Sequence, residues 1–379
     1  MSVAYGLKEL WLVNKKKLLT KVSSFYICSG FTHTIDKGRD NLNKKIGKQS
    51  FFFTKAPIIS AWASVAGKKE SEGPLASYFD KTFQDTHCGQ KTWEQGEQQL
   101  QTAAIDTLLE KAQIESDNID VVFSGDLLNQ CIGSSFVLRN KNIPHFGLYG
   151  ACSTMAESLL LASISVGGGF FDRVIAMTSS HFASSERQYR FPLNYGGQRP
   201  PTAQWTVTGA GAALVCATGK GPRITGGTVG CVVDLGIKDA NNMGAAMAPA
   251  AFNTIYSHFR DFQVSADDYD LIVTGDLGQT GKELLLSLCS KNGISIGGKL
   301  VDCGTLIFDV TKQDTHSGGS GCGCSAATLC SYFLPQLSNG KLKKILFCGT
   351  GALLSPTSCQ QSATIPAVCH AVVIEGAII

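Results

Sequence analysis

Two periods of hydrophobic and polar positions alternate along this chain. Short apolar runs closed by Gly, Asp or Asn read as buried strands, at residues 51–63, 117–123, 144–148, 171–177 and 212–217. Between them the period lengthens. Thr92 and Gln95 stand at the spacing of a helix-capping box, and Leu100, Ala104, Leu108 and Ala112 then mark one face at i, i+4. A second helix is expected near 133–140. A third, over 155–166, is apolar or small on every side, as a helix in a core must be. Two stretches break the rhythm. Residues 73–91 are polar, irregular and too long for an ordinary loop, so they are expected to carry function. Residues 182–206 form a polar insertion holding Arg187, Arg190, Gln198 and Arg199.

The second half of the chain repeats the first. The run from Asp267 to Leu277 matches that from Asp117 to Leu127 at an offset of 150, including the pair Asp126 and Asp276. Gly323-Cys324-Ser325-Ala326 matches Ala151-Cys152-Ser153-Thr154 at 172, and residues 342–352 match 171–181 at 171. Three matches in the same order imply a duplicated unit. Strand–helix alternation in both copies predicts an α/β fold of two halves, 47–217 and 218–379, with mostly parallel sheets covered by helices. Pockets in such sheets lie beyond the carboxyl ends of strands. Cys152, Asp126, Asp276, Cys324 and the turn at Gly351 all fall at such ends.

Composition narrows the class. The chain has 379 residues with 44% hydrophobic content and 41 glycines, ample for a large core with many tight turns. Fourteen cysteines, several in apolar surroundings, suit a reducing compartment better than a disulfide scaffold. No run reaches the roughly 18 apolar residues of a membrane span. The net charge of +3 is uneven: residues 1–45 carry +6, so the rest carries −3. The body is not basic, which argues against nucleic-acid binding. Residues 1–46 read as a basic extension outside the folded body, a start placed too early, or an arm that touches an anionic membrane surface.

The stretch Tyr149-Gly150-Ala151-Cys152-Ser153 is the sharpest chemical signal. A short strand runs into a tight turn, and a thiol sits at the start of a buried helix, where the macrodipole favours an anion. Such a thiol is expected to ionise more easily than a free one. The bland alternative is a small buried cysteine filling a gap. His87-Cys88 has no second pair at ligand spacing, so no metal site is expected.

A cysteine at a strand-to-helix turn in the first of two duplicated α/β halves resembles the thiolase and ketosynthase superfamily. Gly125-Asp126-Leu127-Leu128-Asn129-Gln130, Gly150-Ala151-Cys152-Ser153, Thr178-Ser179-Ser180-His181, Glu186-Arg187-Gln188, Tyr195-Gly196-Gly197-Gln198, Met247-Ala248-Pro249-Ala250-Ala251, Gly318-Gly319-Ser320-Gly321-Cys322 and Gly351-Ala352-Leu353-Leu354-Ser355-Pro356 together resemble the stage V sporulation protein AD family of spore-forming bacteria. That resemblance, from about residue 47 to the end, implies a thiolase-like fold. It also implies binding of dipicolinic acid, with or without calcium, for uptake into the developing spore. The partners it implies are other proteins of the same sporulation operon at the spore inner membrane, where this chain would lie peripherally. The superfamily further implies a homodimer. No cofactor is implied.

The same resemblance frames the question of catalysis. Condensing enzymes set the thiolate with a histidine near the second-half strand end, where this chain has Asp276. His316 is a partial match to the histidine that thiolases use, at a poor spacing, and Cys348 lies near the position of their second cysteine; Cys324 is a further candidate thiol. Ligand-binding candidates are Cys152, His181, Arg187, Arg190, Gln198, Asp126, Asp276 and Gly351, since a flat dicarboxylate calls for guanidinium forks and backbone N–H donors. Asp126 and Asp276 are read first as groups that hold turn N–H donors. Three functions follow: a non-catalytic binder, an acyltransferase or condensing enzyme using Cys152 as nucleophile, and a scaffold for membrane partners.

Overall fold

The computed structural model describes residues 43–189 and 199–377. Arg190 and Gln198 lie outside the described residues. The first half contributes strands β1 (Lys44–Ile46), β2 (Ser50–Phe52), β3 (Ile58–Ala66), β4 (Lys81–Thr82), β5 (Val121–Gly125), β6 (His145–Gly147), β7 (Arg173–Ser180), β8 (Trp205–Thr206) and β9 (Gly209–Cys216). Its helices are α1 (Trp93–Ala112), α2 (Ile132–Leu138), α3 (Thr154–Gly167) and α4 (Phe182–Tyr189). The second half adds β10 (Arg223–Thr228), β11 (Leu271–Thr274), β12 (Leu300–Asp302), β13 (Gly319–Ser320), β14 (Lys344–Ala352) and β15 (Ala367–Glu375). Its helices are α5 (Met243–Phe262), α6 (Gly278–Lys291), α7 (Cys303–Leu306), α8 (Cys322–Thr328), α9 (Leu334–Ser338) and α10 (Pro356–Gln360).

The main sheet runs β12-β11-β14-β15-β10-β3-β9-β7-β5-β6. Read outward from its centre it is the same five-strand pattern twice, β3-β9-β7-β5-β6 and β10-β15-β14-β11-β12. The parallel pairs are in the two wings, β7–β5–β6 and β14–β11–β12. The centre is antiparallel, because β9 runs against both β7 and β3, and β15 against both β14 and β10. The duplicated α/β fold is therefore as the repeat implies, and the antiparallel centre is what strand–helix alternation alone does not reveal.

The repeat persists in individual hydrogen bonds. The Asp120 carboxylate accepts from the backbone N–H of Asp172 and Arg173, and Asp270 accepts from Lys343 and Lys344. Helices α1 and α5 both end on a left-handed glutamine, Gln113 and Gln263, 150 positions apart.

Some boundaries differ from the sequence reading. The strand expected over 51–63 is two, β2 and β3, interrupted around Pro57. Lys44–Ile46, assigned to the extension, pairs with β2. Residues 73–91 fold into a 3-10 turn, Ala76–Tyr78, and β4. The insertion 182–206 begins with α4, whose ordered turns its polar composition hides. Thr92 does cap α1, its side chain accepting from the N–H of Gln95 at 3.3 Å.

Helix α3 lies in the main core with Met155, Leu159 and Leu160 buried against β5, β7 and β14 residues. Each such side chain contributes about 1.5–3 kcal/mol on burial. Helix α8 is its repeat partner. It passes into a π-turn, Leu329–Phe333, before α9. The widened turn falls just before Pro335, which lacks the N–H that would continue the regular ladder.

Candidate functional site

The thiol turn is built from short-range bonds. Ser153 donates both its N–H and its hydroxyl to the Gly150 carbonyl, and the Thr154 hydroxyl donates to the Ala151 carbonyl at 2.6 Å. Ala151 takes a left-handed conformation, φ +49°, which a non-glycine residue adopts at some cost. Ala151–Ser153 form a 3-10 turn, and α3 follows. Strand β14 of the other half supports the turn from behind. A Cβ on Gly351 would overlap the Gly150 carbonyl and lie 2.9 Å from the Ser153 nitrogen. Gly351 is thus required for close approach of strand to turn, a packing role rather than a ligand contact.

Cys152 lines a cavity of about 50 Å³. Its apolar wall comprises Leu127, Ala151, Ala240, Met243, Ala352 and Leu354; its polar groups are Ser185, Glu186, Tyr189, Thr206 and Ser320. Helix α4 supplies three of these. It is anchored by Ser184, whose hydroxyl donates to the fully buried Glu97 at 2.8 Å. The Thr206 hydroxyl donates to Glu186 at 2.9 Å. Ser185 is 2% exposed, and its hydroxyl has no hydrogen-bond partner. Among the described residues no histidine, lysine or arginine lines the cavity.

Asp276 stands against the sulfur. One of its carboxylate oxygens accepts from the Thr350 hydroxyl at 2.9 Å and the other from the Gly321 N–H at 2.9 Å, and the Cys152 thiol is close enough to interact with it electrostatically. Burial raises its pKa from 3.8 to about 7, against the lowering effect of those bonds. The Cys152 thiol is pushed well above its ordinary value, first by burial and then by the charge of Asp276. This overturns the expectation of an easily ionised thiol. A helix N-terminus favours an anion by about 0.3–1 kcal/mol at an exposed site. Removing a charge from water costs several. Burial wins, and an aspartate neighbour adds repulsion where a condensing enzyme would supply a cation.

The two repeat-related aspartates do different work. Asp126 holds its own half's turn, accepting from the N–H of Leu128 at 2.9 Å and from the N–H and hydroxyl of Ser134, both at 2.7 Å. In the second half that task falls to Asp302, which accepts from the N–H of Leu277, Gly278 and Thr305. Asp302 pairs with Thr274 in register where Gly147 pairs with Ser124 in the first half. The extra carboxylate at the end of β12 frees Asp276 to reach the thiol. Turn-holding therefore describes Asp126, and only in part Asp276.

Other candidates are dispersed. His181 is buried outside the cavity, its ring nitrogen 2.7 Å from the Thr86 carbonyl oxygen, and burial lowers its pKa from the ordinary imidazole value. Arg187 pairs with Glu94 over the Trp93 ring on the surface, not in the cavity. His316 lies 3.5 Å from Asp314 and is not part of the cavity wall, so it is not placed to serve the thiol. Cys324 is fully buried, its sulfur directed at the Gly275 carbonyl. Cys348 lies beside Cys369 on β15 and Cys289 on α6, outside the cavity. Of the sequence candidates among the described residues, Cys152 lines the cavity and Asp276 lies against it. Sequence reasoning missed Ser185, Tyr189, Thr206, Ser320 and the site role of Glu186. The motif around Glu186 is visible in the chain, but nothing in it says that the side chain turns inward.

A duplicated α/β chain whose two thiol turns each pack against the other half's strands has a thiolase-like fold. Solved structures agree. The chain matches 3-oxoacyl-[acyl-carrier-protein] synthase III from Aquifex aeolicus with a TM-score of 0.53 at 12% identity, over 84% of this chain and 100% of that one. It matches Xanthomonas campestris OleA co-crystallised with cerulenin with a TM-score of 0.55 at 15% identity, over 86% and 97%. At such identities the likeness shows the fold alone. The chain belongs to the stage V sporulation protein AD family, whose sequence profile matches residues 47–375. It is 47% identical over 334 residues to stage V sporulation protein AD of Bacillus subtilis strain 168, covering 88% of this chain and 98% of that protein.

Proposed function

We propose that this sporulation protein uses the thiolase-like cavity to bind a ligand, not to transfer acyl groups, and that the ligand is dipicolinic acid. One observation carries the non-catalytic reading: the group against the Cys152 thiol is Asp276, an acid, in a cavity that no described histidine enters. Acyl transfer needs a thiolate and donors for the oxyanion, and an aspartate opposes the first. The identity of the ligand rests on the family resemblance. What the cavity offers it is a narrow apolar slot, the hydroxyls of Ser185, Thr206 and Ser320, and the start of α5 at Met243. With Glu186 and Asp276 nearby and no described cation in the wall, a bare dianion is disfavoured. A protonated or calcium-chelated dicarboxylate suits the charge better.

Calorimetry with dipicolinate, with and without equimolar calcium, tests the reading, paired with Ala240→Phe to fill the slot. Saturable heat that disappears in the variant is expected. No heat from the parent protein at millimolar ligand overturns the ligand, and unchanged heat in the variant overturns the site.

The proposed setting is the spore inner membrane, held by partners encoded with it. No helix among the described residues is long and apolar enough to cross a membrane. Fractionation of spores lacking the operon's membrane proteins checks this; an unchanged membrane fraction refutes dependence on them. A homodimer is also proposed. The outer edge strand β6 exposes Phe146 (56%) and the adjacent Tyr149 (69%), which a second copy would cover. Sedimentation of the parent protein against Phe146→Asp decides it, and a monomeric parent refutes it.

A further inference from the structure

We propose that the turn closing α3, with Phe170 at its tip and Lys45 and Lys55 beside it, is a contact surface for an anionic lipid bilayer. The turn is held by its own backbone. The N–H of Gly168 donates to the Ile164 carbonyl at 2.8 Å, that of Gly169 to Val166 at 3.0 Å and that of Phe170 to Ser165 at 3.0 Å. With Gly169 left-handed at φ +75°, the last two bonds make a Schellman cap. The apolar side chain after such a cap commonly folds back on the helix. Here that side chain is Phe170, and it is 76% exposed. No other large apolar side chain among the described residues is as exposed. Ile164, on the last turns of α3, is 39% exposed. A Cβ on Gly169 would meet no atom within 4 Å, so the turn stands clear of the body.

The charge beside the tip is positive. The Asn43 side chain donates to the Gly167 carbonyl and accepts from the Thr54 N–H, so the start of β1 and the link from β2 to β3 both meet this turn. Phe53 packs there too, since a Cβ on Gly167 would lie 2.6 Å from its ring. Lys45 and Lys55 follow directly on these contacts. Both are exposed, and neither makes an ion pair with a described residue. The acids closest in the chain are Asp172, just beyond Phe170, and Asp120. The Asp120 carboxylate is occupied by the N–H groups of Asp172 and Arg173, and Asp172 has the exposed Arg173 beside it. Lys45, Lys55 and Arg173 thus outnumber the two acids. The chain also enters the described body at this turn: residues 1–42 carry seven basic and three acidic side chains, a net +4, whereas residues 46–379 carry −3.

A bilayer surface fits this combination better than a protein does. A single projecting ring flanked by ammonium groups is the pattern of an interfacial anchor: the ring enters the boundary between headgroups and acyl chains, and the lysines stay with the anionic headgroups. One phenylalanine and a half-exposed isoleucine make too small an apolar area for a standard protein interface. A second copy meeting this face symmetrically would set lysine against lysine, which opposes association. The surface lies apart from the thiol cavity and does not depend on what the cavity binds. Nor does it depend on membrane partners, because the lipid contact belongs to this chain's own residues.

Vesicle co-sedimentation provides the test, with the purified full chain and vesicles of phosphatidylcholine with or without phosphatidylglycerol. Binding to the anionic vesicles is expected, weakening as salt is added. Phe170→Ser should reduce the affinity by about tenfold, and Lys45→Gln and Lys55→Gln each by about fivefold. Val310→Ser, at an exposed apolar position in the second half, should bind as the parent does. Thermal melts confirm that each variant is folded. Phe170→Trp should still bind, and brominated lipid should quench its fluorescence beyond that of the parent's four tryptophans. Absence of binding to anionic vesicles overturns the proposal. So does binding indifferent to Phe170→Ser and to both lysine substitutions, which would assign the adsorption to residues 1–42. Self-association without lipid that Phe170→Ser abolishes would give the face to a second copy and also overturn it. Each of these results leaves the cavity reading and the dependence on operon partners standing.

Discussion

The two thiol turns, at Cys152 and at Cys324, started from one template and reached different ends. Each opens a buried helix, and each packs against a strand of the opposite half. The Cys152 turn sits on Gly351 of β14. The second turn sits on Ser180 of β7, whose hydroxyl takes the Gly323 N–H at 3.1 Å. Yet Cys152 borders a cavity beside Asp276, whereas Cys324 is sealed in the core near Cys303. One exchange along the sheet edge accompanies the divergence. Where the first half has Gly147, the second has Asp302, which takes over the turn N–H groups and releases Asp276. A duplicated fold can thus make one polar site by supplying an extra cap in the other copy.

Four experiments probe that contrast. The largest effect is expected from Gly351→Val, which drives a side chain into the Gly150 carbonyl; about 5 kcal/mol of stability should be lost, read by urea unfolding. A loss under about 1 kcal/mol would mean that strand and turn are not locked together. Asp302→Ala leaves three buried N–H groups and the Thr274 hydroxyl without their acceptor and should cost about 4 kcal/mol. If Asp276 instead swings back to cap, the loss will be small and the division of labour between the two aspartates is refuted.

Asp276→Asn comes next, and its signature is pH dependence. The folded-state pKa near 7 exceeds the unfolded value, so the folded protein holds the proton longer. Its contribution is complete below about pH 4 and lost as pH rises through 7. Parent stability relative to the variant should therefore fall by about 3 kcal/mol across that window. The same variant should let iodoacetamide reach a more acidic Cys152 thiol, whereas in the parent the exposed Cys231 reacts first. Equal pH profiles, or a parent Cys152 that alkylates as fast as Cys231, would contradict the buried acid–thiol pair. The smallest effect belongs to Arg187→Ala. Its half-exposed pair with Glu94 is worth under about 1 kcal/mol, and dipicolinate binding should not change. A tenfold loss of binding would return Arg187 to the site.

What the chain determined by itself was everything carried by near neighbours. The periodicity of Leu100, Ala104 and Leu108 located α1, the spacing of Thr92 and Gln95 its cap, and the Gly-Ala-Cys-Ser run its turn. Matching runs such as Asp120 with Asp270 exposed the duplication because like residues recur in order at a fixed offset, although the backbone groups those carboxylates hold lie far along the chain. Polarity misled over 182–206, where α4 turns Ser184, Ser185 and Glu186 inward.

Only the tertiary structure decided which thiol meets a cavity, which aspartate is free, and that Arg187 stays outside. Those outcomes depend on burial and charge, and both are set by segments that arrive from far along the chain: Tyr189, Thr206, Met243, Ser320 and Leu354 converge on Cys152 from both halves. A pKa is fixed by the water and charge around a group, and no stretch of sequence holds that surrounding.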